Sequence, residues 1–515
     1  MLPSFSVETW SLLALGFTLL MIYGIWPLNY FRNIGISGPT PWPFFGSFIT
    51  VIRAGFHNFD IKCLQKYGRV WGVFEGRLPV LMVADPVMIK TIMVKEFYSA
   101  FTNRREMKMA GPMADMITAV EDEKWKRIRN GLTPIFTSGR IKEVFPIADQ
   151  YAGRFVENLK KRDLKEPVQI KDIFGPFNMD VLTSTSFSVE TDSINNPDDA
   201  FVSHMKKLMK FNILNPLFLI MILFPFLVPL FEKLGFSFFS KSVVEYFYSA
   251  LQKIRDQHRD DTHRRVDFLQ LMMQSQITQE QAQTNSDDQP VKGLTDHEML
   301  SQSFIFILAG YETTSTTLMF LAYNLATNPD CLSKLVEEVD EIFPNNCTFL
   351  GVDVCQAPVT YENLMQMEYM DMVIGESMRV FPTAPRIERL CKKTMDITGI
   401  TIPKGTLIGI PVYALHRDPQ LWPSPETFRP ERFSKENKES VDPYAYLPFG
   451  IGPRNCIGMR YALMIMKLVL VKLLQNFTLE TCKETQIPLE LDSMYRPTKP
   501  VTLKLVARSH VKKDK

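Results

Sequence analysis

Near the C-terminal end, Phe449-Gly450-Ile451-Gly452-Pro453-Arg454-Asn455-Cys456-Ile457-Gly458 gathers the residues best suited to chemistry. Three glycines and a proline in ten residues exclude a regular helix or strand. The apolar run from Met459 to Leu474 has helical spacing, which puts Cys456 in a loop just ahead of a helix. Its thiol then faces the positive end of the helix dipole, with Arg454 two residues away, and both lower a thiol pKa. Such a thiolate is a ligand for a soft or redox-active metal. The glycines allow a large flat cofactor to approach the backbone closely. A structural loop around a buried cysteine fits the same composition, since free cysteine is commonly buried.

A second candidate lies inside a helical pattern. Thr295-Asp296-His297-Glu298 has the form of a capping box, and apolar spacing continues to about Thr327 before Asn328-Pro329 stops it. About thirty-four residues at a 1.5 Å rise predict a helix of roughly 50 Å, long enough to cross a domain. Gly310, Thr313, Thr314, Thr316 and Thr317 go against helix propensity. The Thr313 hydroxyl can bond the Ala309 carbonyl and loosen the ladder. That opens a groove for a diatomic ligand, with Thr313 and Glu312 beside it. A threonine-rich packing face explains the same residues. Trp125 and Arg129, four apart, share a helix face, and Glu376 and Arg379 are one turn apart.

Phe449-x-x-Gly452-x-Arg454-x-Cys456-x-Gly458 resembles the haem-binding loop of the cytochromes P450. Ala309-Gly310-Tyr311-Glu312-Thr313-Thr314, Glu376-Ser377-Met378-Arg379 and Phe428-Arg429-Pro430-Glu431-Arg432-Phe433 stand in that family's order and spacing. The likeness covers essentially the whole chain. It is closest to the vertebrate family 3, subfamily A enzymes, through Phe101-Thr102-Asn103-Arg104-Arg105, Phe136-Thr137-Ser138-Gly139-Arg140 and the loop continued to Met459-Arg460. The resemblance implies a mainly α fold with small β-sheets, one large domain and an N-terminal transmembrane helix.

It also implies haem b, with Cys456 as the axial iron ligand whose electron donation favours O–O cleavage. Arg104, Trp125, Arg129, Arg389 and Arg454 would hold the propionates by charge-assisted hydrogen bonds, with Phe449, Gly452, Gly458 and Ala309 around the ring. Thr313 and Glu312 would relay protons to oxygen. Glu376, Arg379 and Arg432 match a buried structural network of the family. Substrate contacts map to Met107, Thr118, Lys210, Phe211, Ile213, Ile305, Leu308, Ala309, Thr383 and Ala384. The implied activity is a monooxygenase for lipophilic substrates such as steroids and xenobiotics. No Gly-x-Gly-x-x-Gly opens a helix after a strand, so electrons must come from outside the chain. The resemblance implies NADPH–cytochrome P450 reductase as their donor, with cytochrome b5 as a second.

The elements that position these residues read as follows. Length alone, 515 residues, suggests about three domains, but no Gly/Ser-rich linker, charge block or repeat divides the chain. A hydrophobic content of 46% supplies a core, and a net charge of +2 argues against a nucleic-acid partner. Seven cysteines without a Cys-x-x-Cys fit a reducing compartment. Thr9 to Phe31 carries no charge and is bracketed by Trp10 and Trp26, so residues 1–31 form a signal anchor. Basic residues follow it, which places the body in the cytosol, at the endoplasmic reticulum in the family's manner. Residues 32–48, with Gly38-Pro39-Thr40-Pro41-Trp42-Pro43, form a stiff hinge, and 49–515 the catalytic domain. Val70–Phe74 and Leu78–Val83 predict a hairpin. The uncharged run Phe211 to Phe231, interrupted by Pro216, Pro225 and Pro229, leaves core helix, second span and lipid-dipping lid open. In the resemblance its phenylalanines roof the substrate pocket. Ile277 to Lys292 reads as a surface loop. Cys347 to Gln356, ten residues absent from the subfamily pattern, read as a surface-loop insertion.

Overall fold

The computed structural model describes residues 6–107, 111–196, 199–208, 216–237, 239–260, 267–277, 293–349 and 352–508. Lys210, Phe211 and Ile213 lie outside them, as does the polar stretch after Ile277 up to Lys292.

Helix α1 (Val7–Ile25) starts at Ser6, whose hydroxyl accepts from the Thr9 amide. Its apolar side chains face outward, with Leu12 69% and Phe17 62% exposed, a surface suited to lipid rather than water. Together with the turns behind it, it gives a 27-residue run, Val7–Asn33, long and apolar enough to cross a bilayer. The far end of this run belongs to the body. Phe31 is buried against Phe74, and only a glycine at position 72 leaves room for its ring. After the proline-rich spacer, β1 (Val70–Glu75) and β2 (Leu78–Val83) pair as an antiparallel hairpin turned at Gly76, where φ is +61°.

Helices then take over: α2 (Asp122–Leu132), α3 (Ser138–Lys160), α4 (Ile170–Phe187) and the long α5 (Asp296–Thr327). The capping box of α5 is formed in both directions between Thr295 and Glu298. Its 32 residues give a rod of roughly 48 Å at 1.5 Å per residue, buried over most of its length. Beyond it come α6 (Glu368–Val380), β3 (Ile387–Leu390), β4 (Leu407–Ile410) and α7 (Met459–Asn476). The four labelled strands form one sheet in the order β1-β2-β4-β3, with β2 and β4 parallel and the other pairs antiparallel. Two apolar cores result. One is built on this sheet around Trp71, Met82 and Ile408, the other among the helices around Phe177, Leu321 and Leu468.

Two sequence readings change. The Cys347 to Gln356 insertion is part of a β-hairpin, Asn345–Phe349 against Val352–Gln356, rather than an irregular loop. Alternating β-branched and polar residues such as Val352-Asp353-Val354 favour that form. The run up to Phe231 breaks over its described part into Pro216–Leu223, Pro225–Leu227 and Val228–Lys233. Each piece begins at or one residue before a proline, which suits the first turn of a helix and stops the preceding one. No regular membrane span forms over residues 216–233.

Candidate active site

Between the two cores lies a cavity of about 310 Å³, within the size of a ligand pocket, roughly 300–1,000 Å³. The Cys456 loop forms one wall. Gly450 and Gly452 turn at φ +69° and +75°, and the Cys456 amide donates to the Phe449 carbonyl at 2.9 Å. A Cβ at Gly452 would stand 1.9 Å from the Met93 carbonyl oxygen, so that glycine is required by protein backbone. Gly458 is the N-cap of α7, and a Cβ there would meet only ordinary contact with Phe136. Protein backbone thus accounts for the glycine at 452, while at 458 no protein atom demands one.

The electrostatics of Cys456 also differ from the sequence reading. Cys456 is exposed to the cavity, yet desolvation by the surrounding walls raises its thiol pKa, against the Gly458 amide and the charges of Arg129 and Arg104. Arg454 is not among the groups acting on it. It turns instead to the Val120 carbonyl and stacks on the Trp125 ring, 4.9 Å from the centroid. Arg129, one turn after Trp125 on α2, donates to the Asn455 carbonyl and side-chain oxygen at 3.0 and 2.9 Å. Those bonds fasten α2 to the loop beside the sulfur.

Arg104, Arg129, Arg389 and Arg454 all line the cavity. Arg389 and Arg454 are 1% and 4% exposed. Burial and the nearby Arg104 push Arg454 down to about 9, and burial with Arg104 and Arg454 pushes Arg389 down as well. Among the described residues, Nε of Arg104, Nε of Arg389, and Nε and Nη1 of Arg454 have no hydrogen-bond partner. Buried guanidinium donors demand acceptors, and a ligand with carboxylates supplies them. The apolar walls, Ile117, Ile305, Phe306, Ala309, Ile387 and Phe449, suit the body of a flat macrocycle. A sulfur, four cations and an apolar slot fit haem.

Helix α5 crosses the opposite wall. Thr313 Oγ1 donates to the Ala309 carbonyl at 2.7 Å, and Asn178 of α4 donates to the Gly310 and Tyr311 carbonyls at 2.8 and 2.9 Å. Side chains thus serve carbonyls in the middle of the ladder, where the sequence anticipates loosening. Thr317 bonds both the Thr313 carbonyl and Thr383, at 2.8 and 2.7 Å. Gly310 sits against Leu182, which a Cβ would meet at 3.0 Å.

Glu312 does not line this cavity. Neighbouring helix residues are about 100° apart, so Glu312 is rotated away from the first cavity while Thr313 reaches both. Glu312 Oε1 accepts from Lys171 Nζ at 2.5 Å and from Thr316 at 3.3 Å, in a second cavity. Thr313 and Thr383 border both cavities. Lys171 was not legible as a site residue because its partner lies 141 positions away.

Of the described substrate candidates, Thr118, Ile305, Ala309, Thr383 and Ala384 line the first cavity. Met107 and Leu308 do not; Met107 borders a separate pocket with Phe236 and Phe239. Phe224, Phe226, Phe231 and Phe236 do not line the first cavity either. Phe224 and Phe226 pack on Tyr23 of the N-terminal run, and Phe231 pairs with Phe236. Met378, Met466 and Ala462 line the cavity without having stood out in the sequence, since single apolar residues carry no signal of their own.

Glu376, Arg379 and Arg432 meet in a buried cluster under α6. Arg379 grips Glu376 through Nε and Nη2, both at 2.8 Å, and Arg432 Nε donates to the same carboxylate at 3.3 Å. Carbonyls of His416, Pro423, Ser424 and Pro425 take further guanidinium donors. The network welds α6 to the segment leading into the cysteine loop.

The sequence model of the Cytochrome P450 family matches residues 36–505, which include every residue that lines the cavity. This chain belongs to the cytochrome P450 family. It is 52% identical over 511 residues to cytochrome P450 3A27 of Oncorhynchus mykiss, covering 98% of this chain and 96% of the relative. It is 51% identical over 512 residues to cytochrome P450 3A5 of Homo sapiens, covering 99% and 98%. Cytochrome P450 3A40 of Oryzias latipes is 51% identical over 509 residues, 98% of each chain. The protein is thus a P450 haem monooxygenase of 3A type, and its exposed N-terminal helix fits membrane attachment.

Proposed function

We propose that this P450 oxidises small lipophilic molecules, steroids and xenobiotics among them, at the cytosolic face of the endoplasmic reticulum. Its electrons come from NADPH through NADPH–cytochrome P450 reductase, with cytochrome b5 as a second donor. The observation that carries this reading is the cavity, with Cys456 on one wall and Ile117, Ile305, Phe306 and Ala309 on the others. Apolar walls select substrate by burial rather than by hydrogen bonding.

The haem, held by Cys456 and by Arg104, Arg129, Arg389 and Arg454, supplies oxygen activation and the oxidation itself. The protein residues do the rest. The guanidiniums hold and orient the cofactor's carboxylates. Thr313 presents a hydroxyl to the cavity, and Glu312 stands at the second cavity, where Thr313 also reaches. A proton passes from that side toward Thr313 once Glu312 is released from Lys171.

Reconstitution in phospholipid vesicles tests the reading directly. With reductase, NADPH and a steroid, hydroxylated product should form and depend on all three. NADPH consumption without any product across several steroids and xenobiotics would overturn it.

A further inference from the structure

Arg104 stands between two tethered neighbours. On one side, Asn103 exchanges two hydrogen bonds with Asp122 at the start of α2, at 3.0 and 2.9 Å. On the other, Arg105 forks onto Glu388, Nε at 3.0 Å and Nη2 at 2.7 Å, and its Nη2 lies 2.6 Å from Glu75. Glu75 faces Arg386 at 3.7 Å, and Arg386 forks onto buried Asp60 with two contacts of 2.6 Å. A line of alternating charges, Asp60, Arg386, Glu75, Arg105 and Glu388, thus runs behind the cavity. Two of its members are chain neighbours of cavity arginines: Arg105 follows Arg104, and Glu388 precedes Arg389. In strand β3 successive side chains point to opposite faces, so fixing Glu388 on one face fixes Arg389 on the other.

The cavity arginines need such restraint. Arg104, Arg389 and Arg454 repel one another in a buried space, and free guanidinium stems would swing apart. We propose that the Arg105–Glu388 pair is a positioning device that aims Arg104 and Arg389 at the carboxylates of the cofactor. The inference rests on the reading that these arginines hold haem. Magnitude separates positioning from plain stabilisation. Arg105 and Glu388 side chains are 34% and 29% exposed, and ion pairs so placed contribute little to folding. Their fork instead fixes direction, which a bidentate guanidinium–carboxylate contact does well.

Haem transfer from the full-length holoprotein to excess apomyoglobin tests this. Arg104→Gln should quicken haem loss. Arg105→Gln and Glu388→Gln should each quicken it about tenfold, the factor for one weakened charge-assisted hydrogen bond. Arg105→Lys, which keeps the charge but loses the fork, should do so to a smaller degree. In the double variant Arg104→Gln/Arg105→Gln the effects should fall short of the product of the single ones, because Arg105 acts through Arg104. Asp340→Asn, which breaks the comparably exposed Arg508–Asp340 pair, should leave haem loss unchanged. If Arg104→Gln alone does not quicken loss, the reading of the arginines as haem holders fails. If it does, while Arg105 and Glu388 variants behave as wild type or multiply fully with it, the positioning role is overturned.

Discussion

At the scale of single residues, the account turns on which groups face the cavity. Thr313 does, and its hydroxyl already bonds the Ala309 carbonyl at 2.7 Å. Thr313→Ala should leave haem binding intact and divert NADPH electrons to peroxide, measured as a fall in product per NADPH with a rise in H₂O₂. Unchanged coupling across several substrates would count against the role. Glu376 is different, since it is fully buried and its carboxylate answers two arginines and the Arg429 amide. Removing it as Glu376→Ala leaves two buried guanidiniums unpaired, a loss of about 3–5 kcal/mol. Denaturant midpoints, or the absence of folded protein, would show it, and a loss under about 1 kcal/mol would contradict the reading. Thr313 and Cys456 were legible because their chemistry sits in short local patterns. The side on which Glu312 lies was not, because it depends on helix rotation and on Lys171 from another helix.

At the scale of elements, short ties fix the rods that carry those residues. His297 in the first turn of α5 bonds Asp115 at 3.1 Å, joining the helix to the turn Gly111–Asp115. The Asp115 hydrogen bond raises the His297 pKa above its usual 6.5, with Lys124 opposing and Glu298 assisting. The same bond, with Lys124, holds Asp115 down at about 2. A raised histidine stabilises fully below its unfolded pKa, and that contribution is lost as pH rises through the folded value. A depressed carboxylate stabilises above its unfolded pKa and loses the effect in acid. The tie therefore acts between about pH 4 and about pH 6.5 and fades above. His297→Gln should lower the melting temperature at about pH 5.5 and leave it nearly unchanged at about pH 8.5. An equal gap at both values would refute the tie. Among the described residues, the strands Asn345–Phe349 and Val352–Gln356 pair only with each other. Deleting Cys347 to Gln356 should spare the haem spectrum and shift the melting temperature little; loss of the spectrum would show that it supports the core. The sequence revealed α5 and its caps because capping residues and apolar period agree. It left the insertion as a loop because ten residues give too short a pattern to separate a loop from a hairpin.

At the scale of the whole molecule, the site exists only where distant segments converge. Arg104, Thr118, Trp125, Ile305, Thr383, Arg389 and Cys456 reach one cavity from both apolar cores. No local pattern shows that convergence; the charge line from Asp60 to Glu388 links positions 328 apart in sequence, 388 less 60. What was readable was the set of groups, and what the fold adds is their direction. The central claim is that this cavity holds haem through the Cys456 sulfur. The carbon monoxide difference spectrum of the dithionite-reduced holoprotein tests it most directly, with Cys456→Ser measured beside the wild type. The wild type should show the strongly red-shifted Soret band of a thiolate-ligated ferrous carbonyl, and the serine variant should lose it. A variant that keeps that band, or a wild type that never shows it, would contradict the account.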